Sequence, residues 1–370
     1  MGPLRQISPC SSKGVPLSRM VRGFVILYRA GVTLLLRLLS LGPKVSPDFG
    51  LVIMHLPDGF LDARTALLSG GAAAAGIALA VRRTRTQLVP RRIPFLGLSA
   101  AFVFAAQMVN FPITGGTSGH LIGGVLSAVL LGPSAAIIVI TCVLMVQCLM
   151  FADGGLLSLG ANVFNMAIVG TCGGHFIFKI AQRLLGGDPV RGTVCAAAFA
   201  GWCGTVLASL SCAGQLAFSG TIPWGMAFPA MANLHMLIGV GEGLATGLIV
   251  LAVLRTRPDL VAGFGAAGVE STATTAGYGL LLSLGLAVFV APFACPWPDG
   301  LESVAEHFGI AHKAGEHLIA TPMADYRFPM IASASAATSV AGLVGTVICF
   351  GAAYALARVL VPQRGGEKPQ

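Results

Sequence analysis

The run PSAAIIVITCVLMVQCLMFA, residues 133–152, carries no charged side chain. A helix of about 20 residues is about 30 Å long, which matches the hydrocarbon thickness of a bilayer. Further apolar runs, separated by short polar loops, lie on both sides of it, and 55% of the 370 residues are hydrophobic against 10% charged. Soluble domains carry about a quarter charged residues, so the sequence predicts an all-α polytopic membrane protein.

About nine transmembrane helices are predicted along the chain. The third is short for a bilayer of ~30 Å, which indicates a tilted, re-entrant or protein-buried segment. The predicted spans lie near residues 65–82, 93–110, 119–132, 133–152, 161–182, 193–218, 230–254, 276–294 and 335–358.

Basic residues cluster at the ends of the predicted spans. With nine spans all of these clusters fall on one side, which the positive-inside rule assigns to the cytoplasm. The net charge of +9 is therefore a topology signal, and nucleic acid is not expected as a partner. The segment 54–64 and the loops 111–119 and 295–334 then face outward. The basic residues are Arg82, Arg83, Arg85, Arg91, Arg92, Lys179, Arg183, Arg191, Arg255, Arg257, Arg358, Arg364 and Lys368.

Residues 1–53 differ from the rest of the chain. They are basic, and Arg29 and Arg37 interrupt their only apolar run, which makes a poor span. The segment fits a signal-like anchor, an amphipathic surface helix, or an extension upstream of a misassigned start. We favour the extension, because Met54 opens the segment that looks functional.

Met54 and His55 suggest a metal chelate. If the mature chain begins at Met54, its amine, the amide nitrogen of His55 and the His55 imidazole can bind one ion, and His120 can supply a fourth nitrogen. A square plane of nitrogens suits Ni(II) or Cu(II). The alternative is a histidine that is hydrogen-bonded at the headgroup region.

His120 ends the glycine-rich loop 115–120, whose glycines allow close approach to a ligand. Thr117 and Ser118 are candidates for orienting its imidazole, and Asn110 is a third such candidate. An ordinary tight turn is the alternative interpretation of the loop.

His235 and Glu242 lie seven residues apart and share a helix face, which favours either metal transit or helix–helix hydrogen bonding. Asp153 is expected to cap a turn, and Asn162 and Asn165 to bond between helices. The loop histidines His307, His312 and His317 fit a solvated loop or a weak site that captures metal.

No catalytic residue and no resident cofactor are predicted. The sequence has no HExxH, GxSxG or Walker A motif, so ATP-driven work would come from a partner. The nine cysteines form no CxxC pair, and most lie in apolar runs, which is typical of buried free thiols.

The residues resemble the CbiM/NikM family of substrate-capture components of energy-coupling-factor transporters. The likeness covers about 54–257 and rests on MHLPDGFL (54–61), AAQMVNFP (105–112), GGTSGHL (115–121), LGANVFNM (159–166) and HMLIGVGE (235–242). Residues 275–362 resemble the accessory PDGLE (NikN-like) domain, through PDGLE (298–302), PMADY (322–326) and AGLVGT (341–346). The expected organisation is an extension over 1–53, a seven-helix metal-binding domain over 54–257 and a two-helix module over 275–362.

The resemblance implies a Ni²⁺ or Co²⁺ importer that holds the ion with Met54, His55 and His120. It implies a coupling transmembrane protein (CbiQ/NikQ-like) and ATPase subunits (CbiO/NikO-like) as partners, and location in a bacterial inner membrane. The LPDG variant and the fused tail favour nickel. A passive channel or secondary carrier, and a metal-dependent membrane enzyme, are the alternatives.

Overall fold

The computed structural model describes residues 55–261, 264, 272–315 and 317–361. Met54 and the 1–53 extension lie outside these residues, and so do the interpretations that rest on them. Within the described part, the chain forms helices and one two-residue β-ladder. The helices are α1 (Ala63–Gln87), α2 (Ile93–Gln107), α3 (Gly124–Leu131), α4 (Pro133–Phe151), α5 (Leu159–Leu184), α6 (Pro189–Phe218), α7 (Trp224–Thr256), α8 (Thr272–Phe289), α9 (Gly300–His307) and α10 (Ala334–Leu360).

Seven of the helices in the described residues are long and apolar enough to cross a membrane. They are α1, α4, α5, α6, α7, α8 with the turn that follows it, and α10. The prediction of an all-α polytopic membrane protein is confirmed. The helices begin as their sequences dictate: for example, the Asp62 carboxylate caps α1 by accepting a hydrogen bond from the Thr65 amide.

The other two predicted spans are shorter than the sequence suggested. Helix α2 has 15 residues, about 22 Å, and α3 has 8 residues, about 12 Å. Residues 119–123 do not extend α3, because β2 (Ser118–Gly119) occupies the start and Gly123 takes a φ of 71°. Gly132, with a φ of 87°, separates α3 from α4. Most of α3 is buried in protein, as expected if the third predicted span is a protein-buried segment.

Close helix packing depends on small side chains. A Cβ at Gly243 of α7 would lie 2.6 Å from the Ala198 carbonyl oxygen of α6. At Gly345 of α10, a Cβ would overlap the ring of Phe104 on α2. Glycines at these crossings let the backbones approach, which is how helices associate in lipid.

Helix α5 contains a π-helical stretch, Val163–Gly173. π-helical stretches are rare in proteins, and those that do occur often lie at functional sites. Asn162 lies just before this stretch and Asn165 lies within it. Asn165 donates to the Gln215 Oε1 atom of α6 at 2.8 Å, which confirms the predicted bond between helices for Asn165. The same prediction is wrong for Asn162, whose side chain bonds to the backbone of Leu56 in the segment before α1.

Candidate metal centre

The segment that begins at His55 is held by hydrogen bonds to Asn162 on α5 and to the loop before α5. Asn162 pairs with Leu56 twice: its Oδ1 accepts from the Leu56 amide at 3.0 Å and its Nδ2 donates to the Leu56 carbonyl at 3.1 Å. The Asp58 carboxylate accepts three further backbone amides, from residues 156, 157 and 158, at 2.9–3.0 Å. The side chain of Leu56 is 1% exposed. These contacts fix His55 at the end of the bundle where the loop after α4 also lies.

Asp153 orients the His55 ring. The Nδ1 atom of His55 lies 2.8 Å from Oδ1 of Asp153, and both residues are buried. Burial alone raises the pKa of Asp153, but the charge and hydrogen bond of His55 and the hydrogen bond of Tyr326 outweigh it and hold that pKa below its ordinary value. An ionised Asp153 accepts the proton on Nδ1, so Nε2 carries the lone pair of the neutral ring. That Nε2 atom is buried and has no hydrogen-bond partner among the described residues.

His120 follows a β-hairpin whose tip is built from glycines. Strands β1 (Phe111–Pro112) and β2 pair antiparallel, and Gly115 and Gly116 between them adopt φ values of 83° and 78°. Non-glycine residues rarely adopt this left-handed region. The His120 Nδ1 atom lies 3.0 Å from the Leu121 carbonyl oxygen, which can only accept, so Nδ1 carries the proton and Nε2 the lone pair.

Glu242 holds the chain just after His120. Its carboxylate is 1% exposed and accepts the amides of Ile122 at 2.6 Å and Gly123 at 3.0 Å. Glu242 was predicted from the sequence to serve either a metal pathway or helix bonding. Its contacts support a third role: a residue of α7 that fixes the conformation of the loop bearing His120.

The structure brings the two predicted metal-binding histidines together. The ring centroids of His55 and His120 are 5.8 Å apart, at an interplanar angle of 62°. Two imidazoles that share one ion, each with a metal–nitrogen bond of about 2.0 Å, place their centroids within roughly 6 Å. A cavity of about 80 Å³ lies against both rings and is also lined by His235 and Asp299. It is several times larger than the space one water needs.

Asp299 is a member of the site that the sequence did not single out. It caps α9 by accepting the Glu302 amide at 2.8 Å through Oδ1, while Oδ2 lies 3.8 Å from Nε2 of His120. Burial raises the pKa of Asp299 well above that of an ordinary aspartate. The signal was present in the Pro298–Gly300 turn, which is typical of a helix start, but nothing in the sequence indicated that α9 would reach His120.

The three residues predicted to orient His120 lie close to it in sequence but direct their bonds elsewhere. Thr117 Oγ1 lies 3.0 Å from Ser303 Oγ, and Ser118 Oγ donates to the Trp297 carbonyl at 2.7 Å. Asn110 accepts the Cys295 amide through its backbone carbonyl, and its side-chain Oδ1 has no hydrogen-bond partner among the described residues. They join the hairpin to the segment before and within α9. Their role in orienting the imidazole stays a prediction.

His235 lines the cavity from α7, and its Nδ1 lies 2.8 Å from the Met231 carbonyl oxygen. Among residues 55–261, 264, 272–315 and 317–361 no three His, Cys, Asp or Glu side chains are grouped so as to hold a metal ion, and this applies both to the loop histidines and to the surroundings of His55 and His120. The candidate centre therefore consists of the two imidazoles, with the Met54 amine and the His55 amide nitrogen as further candidate donors.

The fold and the paired imidazoles define a multi-pass membrane protein with a buried nitrogen-donor site. Two family models match the chain: CbiM, the cobalt uptake substrate-specific transmembrane region, over residues 55–260, and the PDGLE domain over residues 273–362. The chain belongs to the CbiM family and is a component of nickel or cobalt transport. The resemblance found in the sequence is confirmed.

Relatives of known name cover nearly the whole chain. A protein of Archaeoglobus fulgidus, provisionally named as a fused nickel transport protein NikMN, is 34% identical over 307 residues, which are 82% of this chain and 98% of that protein. The cobalt transport protein CbiM of Geobacter sulfurreducens is 30% identical over 359 residues, 92% of this chain and 97% of that protein. A crystal structure of a truncated transition metal transporter aligns with a TM-score of 0.50 at 33% identity, covering 55% of this chain and 99% of that one.

Proposed function

We propose that this chain is the metal-binding membrane component of an ATP-driven energy-coupling-factor importer, and that it captures Ni²⁺ or Co²⁺ at the outer face of the membrane. The observation that carries the proposal is the buried pair of imidazoles, whose ring centroids lie 5.8 Å apart beside a cavity of about 80 Å³ that both rings line. The names of the relatives point to the same ions.

In the proposed site, His55 and His120 bind the ion directly. In a mature chain that begins at Met54, the Met54 amine and the His55 amide nitrogen complete a square plane. A chelate that uses the amide and the ring of one histidine closes through Nδ1, the ring nitrogen nearer its own backbone. In the structure that atom is bonded to Asp153. Metal binding would therefore turn the ring about Cβ–Cγ and move the ring proton from Nδ1 to Nε2. The freed lone pair of Nδ1 then binds the ion, and the Nε2–H group lies next to the position that Nδ1 occupied beside Asp153. The His55 amide would give up its own proton to solvent when its nitrogen binds.

The orientation in the membrane is supported by the distribution of charge. Basic residues cluster in the connections after α1, α5 and α7 and at the end of α10. In each of these helices, the cluster lies at the end that is farther from His55. The positive-inside rule then assigns the metal site to the outer side. Because the sequence holds no Walker A motif, an ATPase pair and a coupling membrane protein would supply the energy for inward release.

Nickel is the preferred ion in this proposal. Four nitrogen donors in a plane suit Ni(II) better than Co(II), and the A. fulgidus relative that aligns over both the CbiM and PDGLE regions carries a nickel name. The G. sulfurreducens relative carries a cobalt name, so the comparison of the two ions belongs in the test.

The test is a calorimetric titration, with Ni²⁺ and with Co²⁺, of the purified mature chain whose start at Met54 has been checked by mass spectrometry of its terminal peptide. We expect His55→Ala and His120→Ala to weaken binding at least about 100-fold, beyond the range found for an outer-shell partner. His307→Ala, an exposed histidine on α9, is the matched control and should bind like the wild type. Unchanged binding in both site variants would refute the proposed centre.

Transport by membrane vesicles tests the energy source. Uptake of ⁶³Ni²⁺ should require the ATPase and coupling proteins together with ATP. Uptake that persists with this chain alone would instead identify a passive channel or secondary carrier.

A further inference from the structure

The segment between α9 and α10 contributes a side chain to the His55 network. The Tyr326 hydroxyl donates to Oδ2 of Asp153 at 2.6 Å and accepts from Nε2 of Gln147 at 3.1 Å. Because His55 occupies the other oxygen of the same carboxylate, Asp153 is held at both oxygens. Two directional bonds fix the plane of the carboxylate, and the plane fixes the direction in which a ring N–H can bond.

Tyr326 is itself held firmly. Its ring stacks on Phe151 with centroids 4.8 Å apart and an interplanar angle of 16°, and it packs at a tilt against Phe104. Its backbone adopts a φ of 55°, in the left-handed region that aromatic residues rarely occupy. Strain of this kind persists where the surrounding structure enforces it and is concentrated at functional sites.

The hydrogen bonds continue from Tyr326 to the other metal-binding segment. Gln147 Nε2 also donates to Oε1 of Gln107 at 2.9 Å, and Gln107 Nε2 donates to the Ile122 carbonyl at 3.0 Å. Ile122 lies two residues after His120, and Glu242 holds its amide. An unbroken chain of side chains thus connects the His55 ring to the His120 loop through Tyr326.

We propose that Tyr326 is a positioning residue of the metal site: it acts through Asp153 on the His55 ring, and by this contact the C-terminal module completes a site whose direct donors belong to the other part of the chain. The proposal rests on the proposed function only in that His55 binds the ion. It holds for either ring orientation, since the turned ring also presents an N–H towards Asp153.

The experiment compares Tyr326→Phe with Tyr354→Phe in the mature chain that begins at Met54, with the C-terminal module intact. Both variants lose one hydroxyl from the C-terminal module, but Tyr354 stacks on Phe350, on the part of α10 away from the site. We expect Tyr326→Phe to weaken Ni²⁺ binding about tenfold, as for other outer-shell partners, and to shift the Ni(II) d–d absorption band. Tyr354→Phe should change neither.

A second readout on the metal-free chain separates this proposal from the proposed function. With ¹⁵N-labelled histidine, the His55 Nδ1 resonance should shift in Tyr326→Phe and stay in place in Tyr354→Phe. The positioning role is overturned if this resonance does not move, whether or not the wild type binds nickel. A wild type that binds no nickel, with a resonance that still shifts, would refute the proposed function and leave the contact between Tyr326 and His55 established.

Discussion

Replacing Glu242 by glutamine tests whether the His120 loop is fixed in advance for metal binding. The two carboxylate oxygens accept the Ile122 and Gly123 amides at 2.6 and 3.0 Å. Glutamine keeps one oxygen that can accept a hydrogen bond. Its NH₂ group faces the second backbone amide, and because both groups are donors they cannot form a hydrogen bond. The variant therefore loses one hydrogen bond to a charged group, which contributes about 1.5–3 kcal/mol.

The free energy of the lost hydrogen bond limits how far the apparent affinity for nickel can fall. Each 1.4 kcal/mol is a factor of ten in an equilibrium constant, so the fraction of molecules with a competent loop falls by at most about 150-fold, and the apparent affinity falls with it. We expect about a tenfold weaker Ni²⁺ affinity, because part of the cost relaxes into the surrounding loop.

Calorimetric titration of Glu242→Gln against Glu306→Gln measures the effect. Glu306 is an exposed glutamate on α9, so its variant controls for the change of charge. If Glu242→Gln folds and binds nickel as tightly as both the wild type and this control, the loop does not depend on Glu242 and the reasoning is wrong.

Three further predictions concern stability in detergent, measured as apparent melting temperature. Asp58→Ala leaves three backbone amides without their acceptor and should cost about 3 kcal/mol or more, whereas the exposed cap Asp188→Ala should cost less. Gly345→Ala should destabilise by about 1–3 kcal/mol through overpacking, while Gly351→Ala on the same helix, where a Cβ meets nothing within 4 Å, should be neutral or mildly stabilising. Burial raises the pKa of Glu302 from 4.5 to about 7, so the folded chain binds the proton more tightly than the unfolded chain, and its stability falls as pH rises across that interval. Between pH 5 and 8 the melting temperature of the wild type should therefore fall relative to that of Glu302→Gln. A difference between the two melting temperatures that does not change with pH would contradict this.

The sequence predicted what depends on local pattern. Apolar runs of bilayer length indicated the long helices, and α4 matches its predicted span to within a residue at its end. The third span was drawn too long because Gly119 and Gly123 read as small membrane residues, whereas they serve a hairpin and a helix start. Periodicity could not distinguish these uses, since both suit an apolar, glycine-rich stretch.

The sequence predicted the two histidines that would bind the metal directly, but it did not predict the residues that hold them in place. His55 and His120 were paired by their predicted location on one membrane face, and their rings lie 5.8 Å apart. Asp153 was expected only to cap a turn, yet it bonds His55 across 98 residues of sequence. Tyr326 reaches Asp153 across 173 residues. Such contacts depend on how segments far apart in sequence pack together, which no local pattern in one sequence encodes.

Nickel K-edge X-ray absorption on the Ni²⁺-loaded mature chain that begins at Met54 tests the central claim most directly. We predict a first shell of nitrogen donors without sulfur, with outer-shell scattering from two imidazole rings that falls to one ring in His120→Ala. A first shell containing sulfur, or a spectrum that His120→Ala leaves unchanged, would contradict the assignment of the metal centre to His55 and His120.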